Sequence, residues 1–227
     1  MAFAAPFGSP PPAHSAGERA RLAAAVVAVV GSRGFEASSV DAVLERAELD
    51  GEAFARHFAD LQQCCSQIYA GFVDDFNRFV FGEILASGAD RWRDRLRVAA
   101  YAAARFFADH PDEVRFSVTG ILGAGEMVQV QRERHLSLMV DFVDAARAEL
   151  AEPASMSRAA AESTVGSIFG FLLKEVNVHG DARSAEALVP ELMYIAVLPY
   201  FGEDAAREEL TLPAPVPASL SPAREED

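Results

Sequence analysis

Two places in this 227-residue chain bring anion-binding groups together. Ser38-Ser39 precedes a short apolar helical pattern, where a hydroxyl can cap the helix or donate to a phosphate at its N-terminus. Arg56-His57 lies between Phe54 and Phe58, two rings at i, i+4 that share one face of a short helix. A guanidinium and an imidazole placed there can reach phosphates or base edges. His57 has an equal claim to a packing role beside Phe58. Asp50 is a capping residue ahead of that helix, and Gly51 and Glu52 fall in its first turn. Glu52 has two readings: an acceptor for a cytosine amino group, or a solvated acid that complements the helix dipole.

Other chemistries find little support. The five histidines (14, 57, 110, 135, 179) are scattered, with no His-x-x-x-His pair and no Cys–His cluster, so no metal site is expected. No Gly-x-Ser-x-Gly nucleophile elbow occurs. Gly120-Ile-Leu-Gly123-Ala-Gly125 lacks a preceding strand and the order of a dinucleotide fingerprint, and reads as a joint between helices. Cys64 and Cys65 are adjacent on a helical pattern, which strains a mutual disulfide and makes them small core residues. No catalytic constellation is visible, so the expectation is a non-enzyme without a cofactor.

The elements that hold these groups are helices. Proline marks the ends: four of twelve lie at 6–12 and four at 213–222, and none falls between Pro12 and Pro111. Residues 1–15 and about 210–227 are Pro/Ala/Ser-rich and are expected to be disordered tails. Leu22, Val26, Val29 and Val30 form one face of a helix from about 16 to 32, ended by Gly34. A short helix carries Val40, Val43 and Leu44; a turn at Glu48–Leu49 leads to the Phe54–Phe58 helix; Asp60 caps a long helix to about Gly88. Further helices are expected over about 90–110, 111–119, 126–150, 157–178 and 184–201. No alternating β-branched run is long enough for a strand. The fold class is all-α, about nine helices.

Composition sets outer limits. Hydrophobic residues make up 51%, enough for a sizeable core, and the net charge is −14. No apolar stretch approaches the roughly 18–20 residues that span a bilayer, and no basic leader precedes Arg19, so a cytoplasmic protein without membrane contact is expected.

A helix, a short helix–turn–short helix and a long helix in this order make a helix-turn-helix arrangement. Its pieces are Arg21-Leu22-Ala23-Ala24-Ala25, Gly34-Phe35-Glu36-Ala37-Ser38-Ser39-Val40, Val43-Leu44-Glu45-Arg46-Ala47 and Phe54-Ala55-Arg56-His57-Phe58-Ala59-Asp60. They resemble the TetR family of bacterial transcriptional regulators. Trp92, Phe107-x-x-x-Pro111, Gly123-Ala124-Gly125 and Pro190-Glu191-Leu192 through Pro199-Tyr200-Phe201-Gly202 extend the likeness over about residues 16–209. The resemblance implies a DNA-binding head at 16–62, a ligand-binding and dimerisation part at 90–209, and a homodimer. It also implies that an effector changes the spacing of two heads and releases operator DNA. Ser38, Ser39, Asp50, Gly51, Glu52, Arg56 and His57 are then the DNA-contact candidates.

The sequence departs from the family pattern where DNA is touched. Ala55 stands where a tyrosine is usual, Leu61 where a lysine is usual, and Glu48 where the turn usually has glycine. Residues 15–70 hold five arginines (19, 21, 33, 46, 56) against eight acids (18, 36, 41, 45, 48, 50, 52, 60). Phosphate neutralisation dominates DNA affinity, so an acidic head gives that force little to act on. The alternative is a TetR-like dimer that binds a ligand or a protein and has lost specific DNA binding.

Sixteen phenylalanines supply a possible pocket. Phe72, Phe76, Phe106, Phe116 and Phe142 are the lining candidates for a hydrophobic small-molecule effector, with plain core packing as the alternative. Gly166 and Gly170 share one helix face and permit close backbone approach. With Leu173, Leu188, Leu192 and Ile195 they form the expected subunit interface, the alternative being internal packing.

Overall fold

Alanine-rich sequence without proline favours long helices, and the first, α1, runs Ala13–Arg33. It starts inside the segment expected to be a disordered tail because Ala13, Ala16 and Glu18 carry the helical pattern back toward Pro12. This computed structural model describes residues 13–153, 156–179 and 185–217. Of the expected tails at 1–15 and 210–227, residues 1–12 and 218–227 lie outside them. Gly34 ends α1 at φ +79, its N–H donating to the Val30 carbonyl.

The next three helices begin on the capping residues the sequence marks. Ser39 accepts from the Ala42 N–H to open α2 (Val40–Ala47), and Asp50 accepts from the Ala53 N–H to open α3 (Gly51–His57). Asp60 opens α4 (Leu61–Ser87) by accepting from Gln63. Between α2 and α3, Glu48 takes the left-handed conformation at φ 53 that glycine adopts freely. Arg21 supports it by donating to the carbonyls of Ala47 and Glu48 at 2.5 and 2.9 Å. The guanidinium thereby satisfies the orphan carbonyls at the end of α2.

The rest of the chain is α5 (Trp92–Asp109), α6 (Pro111–Arg115), a π-turn over Phe116–Gly120, α7 (Glu126–Asp144) with a 3-10 turn to Glu149, α8 (Ala159–His179) and α9 (Ala185–Glu209). No strand occurs among the described residues. Two boundaries differ from expectation. The sequence helix 111–119 becomes α6 plus a π-turn. α9 passes through a non-helical Gly202 (φ 80) and goes on to Glu209 rather than ending at Phe201. Glu209 is the reason: its carboxylate, 0% exposed, accepts from Arg93 and Arg97 of α5 at 2.8–2.9 Å. Two guanidinium partners make up for the desolvation of one carboxylate.

The head does not have a core of its own. Leu22, Val26 and Val30 of α1, Val43, Phe54, Phe58 and the two buried cysteines pack with Phe116, Ile121, Ala124 and Val128 from the far side of the chain. Each fully buried phenylalanine contributes about 1.5–3 kcal/mol, so the head's stability is shared with the body. The joint is made by glycine. A Cβ at Gly120 would lie 2.9 Å from the Val30 carbonyl oxygen and 3.0 Å from the Gly31 Cα, and the Gly120 carbonyl accepts from the Phe35 N–H at 2.8 Å. Burial pushes the thiols of Cys64 and Cys65 up to about 12, consistent with inert core residues.

Candidate functional site

The helix-turn-helix places α3 on the surface, with Phe54 and Phe58 turned into the head and Gly51, Glu52 and Arg56 outward. The structure assigns most of the candidate side chains to local duties. Ser39 and Asp50 are N-caps, and the Ser38 hydroxyl donates to the Gly34 carbonyl at 2.7 Å. Glu18 of α1 was not singled out by the sequence, yet it accepts from Arg56 Nη2 on both carboxylate oxygens at 3.1 Å. The same carboxylate meets His57 Nε2 at 3.4 Å. The His57 side chain is only 9% exposed, which favours its packing role beside Phe58. Arg56 keeps 51% exposure and can still turn outward, at the cost of that ion pair. Arg46 is exposed near the end of α2. Arg19 lies over the Phe58 ring at 5.1 Å and donates to Gln67.

The body contains an apolar cavity of about 170 Å³ between α4, α5, α7, α8 and α9. Phe76, Val80, Phe107, Met139, Phe142 and Leu172 form much of its wall, and Glu175 is the one ionisable side chain among the described residues that line it. Phe76 and Phe142 thus stand where the sequence put them. Three candidates do not. Phe116 is 0% exposed in the head's core, because the π-turn that carries it packs on α1. Phe106 stacks on His110 at 4.2 Å and meets Phe72 at 5.5 Å, so both rings lie behind the wall rather than on it. Sequence periodicity could not separate these rings from Phe107, which neighbours Phe106 on α5 and does reach the cavity.

The expected interface residues also divide. Leu188 and Leu192 are half-buried on α9 and line the cavity. Leu173 is half-buried against Val114, Val118 and Val176. Ile195 is half-buried on α9. Gly166 and Gly170 are exposed on α8, with nothing within 4 Å of either Cβ position. No helix among the described residues is long and apolar enough to cross a membrane.

This order of helices, with a helix-turn-helix at one end and a cavity within the other, is the fold of the TetR-family transcriptional regulators. The fatty acid degradation regulator FadR from Bacillus halodurans superposes with a TM-score of 0.68 at 10% identity, over 84% of this chain and 96% of that one. TylP, a TetR regulator from Streptomyces fradiae, superposes at 0.60 and 16% identity over 86% and 91%. A TetR-family regulator from Marinobacter aquaeolei VT8 gives 0.59 and 17% over 80% and 96%. No protein-family model and no curated protein matches the sequence.

Proposed function

We propose that this protein is a ligand-responsive transcriptional repressor that binds operator DNA as a homodimer through α2 and α3. An apolar effector in the body cavity shifts the population between two spacings of the paired heads. The observation that carries the reading is the joining of the two sites. The cavity wall and the head share α4 and α7, and Val128 of α7 packs in the head's core while Met139 and Phe142 line the cavity. A change in cavity shape therefore has a helix through which to reach the head. Ser38, Gly51, Glu52 and Arg56 are the side of the head offered to DNA, and the exposed Gly166–Gly170 face of α8 is offered to the second subunit.

A second reading follows from one observation. Glu18 engages both Arg56 and His57 of α3 in a head that is already rich in acids. In that reading the fold serves as a ligand- or protein-binding dimer without specific DNA binding.

Fluorescence anisotropy with DNA from the gene's own upstream region, from about 50 to 200 mM salt, decides between them. The repressor reading expects sequence-selective binding that weakens along that series. A folded dimer with no binding at the low-salt end selects the second reading.

A further inference from the structure

The wall of the cavity continues along one face of α7 into a polar site. Met139 and Phe142 line the cavity; His135 lies one turn earlier, and Gln131 and Arg132 one turn before that. The Gln131 Oε1, Arg132 Nε and His135 Nδ1 atoms are all buried, and none makes a hydrogen bond among the described residues. The His135 ring meets Phe76 edge-on at 5.8 Å, and Phe76 is itself part of the cavity wall. The Arg132 guanidinium lies 4.6 Å over the Phe169 ring and has no carboxylate partner among the described residues. A buried polar atom without a partner is costly, and a guanidinium without an acid more so. Arg132 and His135 offer donors suited to an anion, and the Gln131 amide joins them once its Nε2 rather than its Oε1 is turned to the site.

We propose that the effector is an amphipathic carboxylate whose alkyl body fills the cavity and whose head is held by Arg132, His135 and Gln131. This deepens the ligand-responsive reading of the same cavity and rests on it. The cavity wall is apolar around Met139 and Phe142, so the Arg132 end of α7 is the place for the head. The distance suits a medium chain, since the seven residues from Arg132 to Met139 rise roughly 10 Å along the helix. Phe76 touches both the cavity and the His135 ring, so a head that reaches His135 from the cavity turns that ring aside. The head would then lie one turn from Val128, which is packed against α1 and α4 in the head domain's core.

Three probes with one tail test this: decanoate, decanol and decyltrimethylammonium, each below its micellar concentration. They are titrated calorimetrically into the full chain without DNA. The expected order is decanoate first by about tenfold or more over decanol, with the ammonium weakest. Arg132→Met, which keeps an apolar stem over Phe169, should bring decanoate to the level of decanol and leave decanol unchanged. Equal affinity for decanoate and decanol, preference for the ammonium, absence of binding by all three, or an Arg132→Met protein that still prefers decanoate overturns the proposal. If that variant does not fold, the ranking on the native protein decides alone. Because DNA is absent, decanoate binding without an effect on operator affinity would sink the regulator reading and leave this site standing.

Discussion

Glu18 on α1 and Arg56 on α3 form a two-point contact, with one guanidinium nitrogen 3.1 Å from each carboxylate oxygen. The pair ties α3 to the first helix of the head. It also neutralises the cation that a phosphate would need. The Glu18 side chain is 10% exposed and also holds His57, so the restraint acts on two neighbouring residues of α3.

Glu18→Ala should therefore raise DNA affinity rather than lower it. With Arg56 released, one more phosphate can be neutralised, and the slope of log affinity against log salt should steepen by about 0.9. The stability cost should stay within about 1 kcal/mol, because Arg56 is half exposed and the pair is screened. Anisotropy titrations at several salt concentrations and a urea melt check both parts.

Glu209→Ala should be among the most damaging substitutions in the body. It leaves Arg93 and Arg97 half-buried beside a cavity, at a cost of about 3–5 kcal/mol. The thermal midpoint should fall by roughly 6 °C or more. Arg207→Ala, which breaks the exposed pair with Glu203, should move it by far less. Differential scanning calorimetry of both variants makes the comparison.

Stability should decline on mild acidification because of His135. Burial lowers its pKa below the ordinary imidazole value near 6.5, so the unfolded chain takes up the proton first. Folding stability is then complete above about pH 6.5 and is lost progressively as pH falls from there toward the lower folded value. Melting temperatures at pH 7.5 and 5.5 should differ more for the native protein than for His135→Phe, which keeps the edge contact with Phe76 and cannot titrate.

Gly166→Leu combined with Gly170→Leu should dissociate the proposed dimer. Both glycines are exposed on α8 with open space around them, so the monomer can accept the added side chains. Size-exclusion with light scattering reads the outcome, and a double variant that remains dimeric places the subunit contact elsewhere.

What could be read from the sequence was local. Ser39, Asp50 and Asp60 announce helix starts through hydrogen bonds that span three residues, and Gly34 announces a helix end in the same way. The order of helices followed, and with it the fold. What could not be read was set by partners far along the chain. Glu18 meets Arg56 across 38 positions, and Arg97 meets Glu209 across 112. Neither spacing leaves a periodic trace. Phe106 and Phe107 are neighbours with different fates, and only the packing of α4 against α5 tells the wall from the layer behind it. The polar set on α7 was hidden for another reason. Gln131, Arg132 and His135 look like ordinary solvated residues until α4 and α8 cover them.

The glycine contact between the π-turn and α1 bears on how force could travel through this molecule. Side chains at an ordinary joint act as cushions, since rotamer changes absorb small displacements before the backbone feels them. Gly120 against Val30 and Gly31 has no cushion: main chain rests on main chain. A shift of the π-turn is passed to α1 as a rigid push, with its amplitude and direction kept. A joint of this kind trades adjustability for fidelity, and places the head in mechanical register with whatever moves the turn.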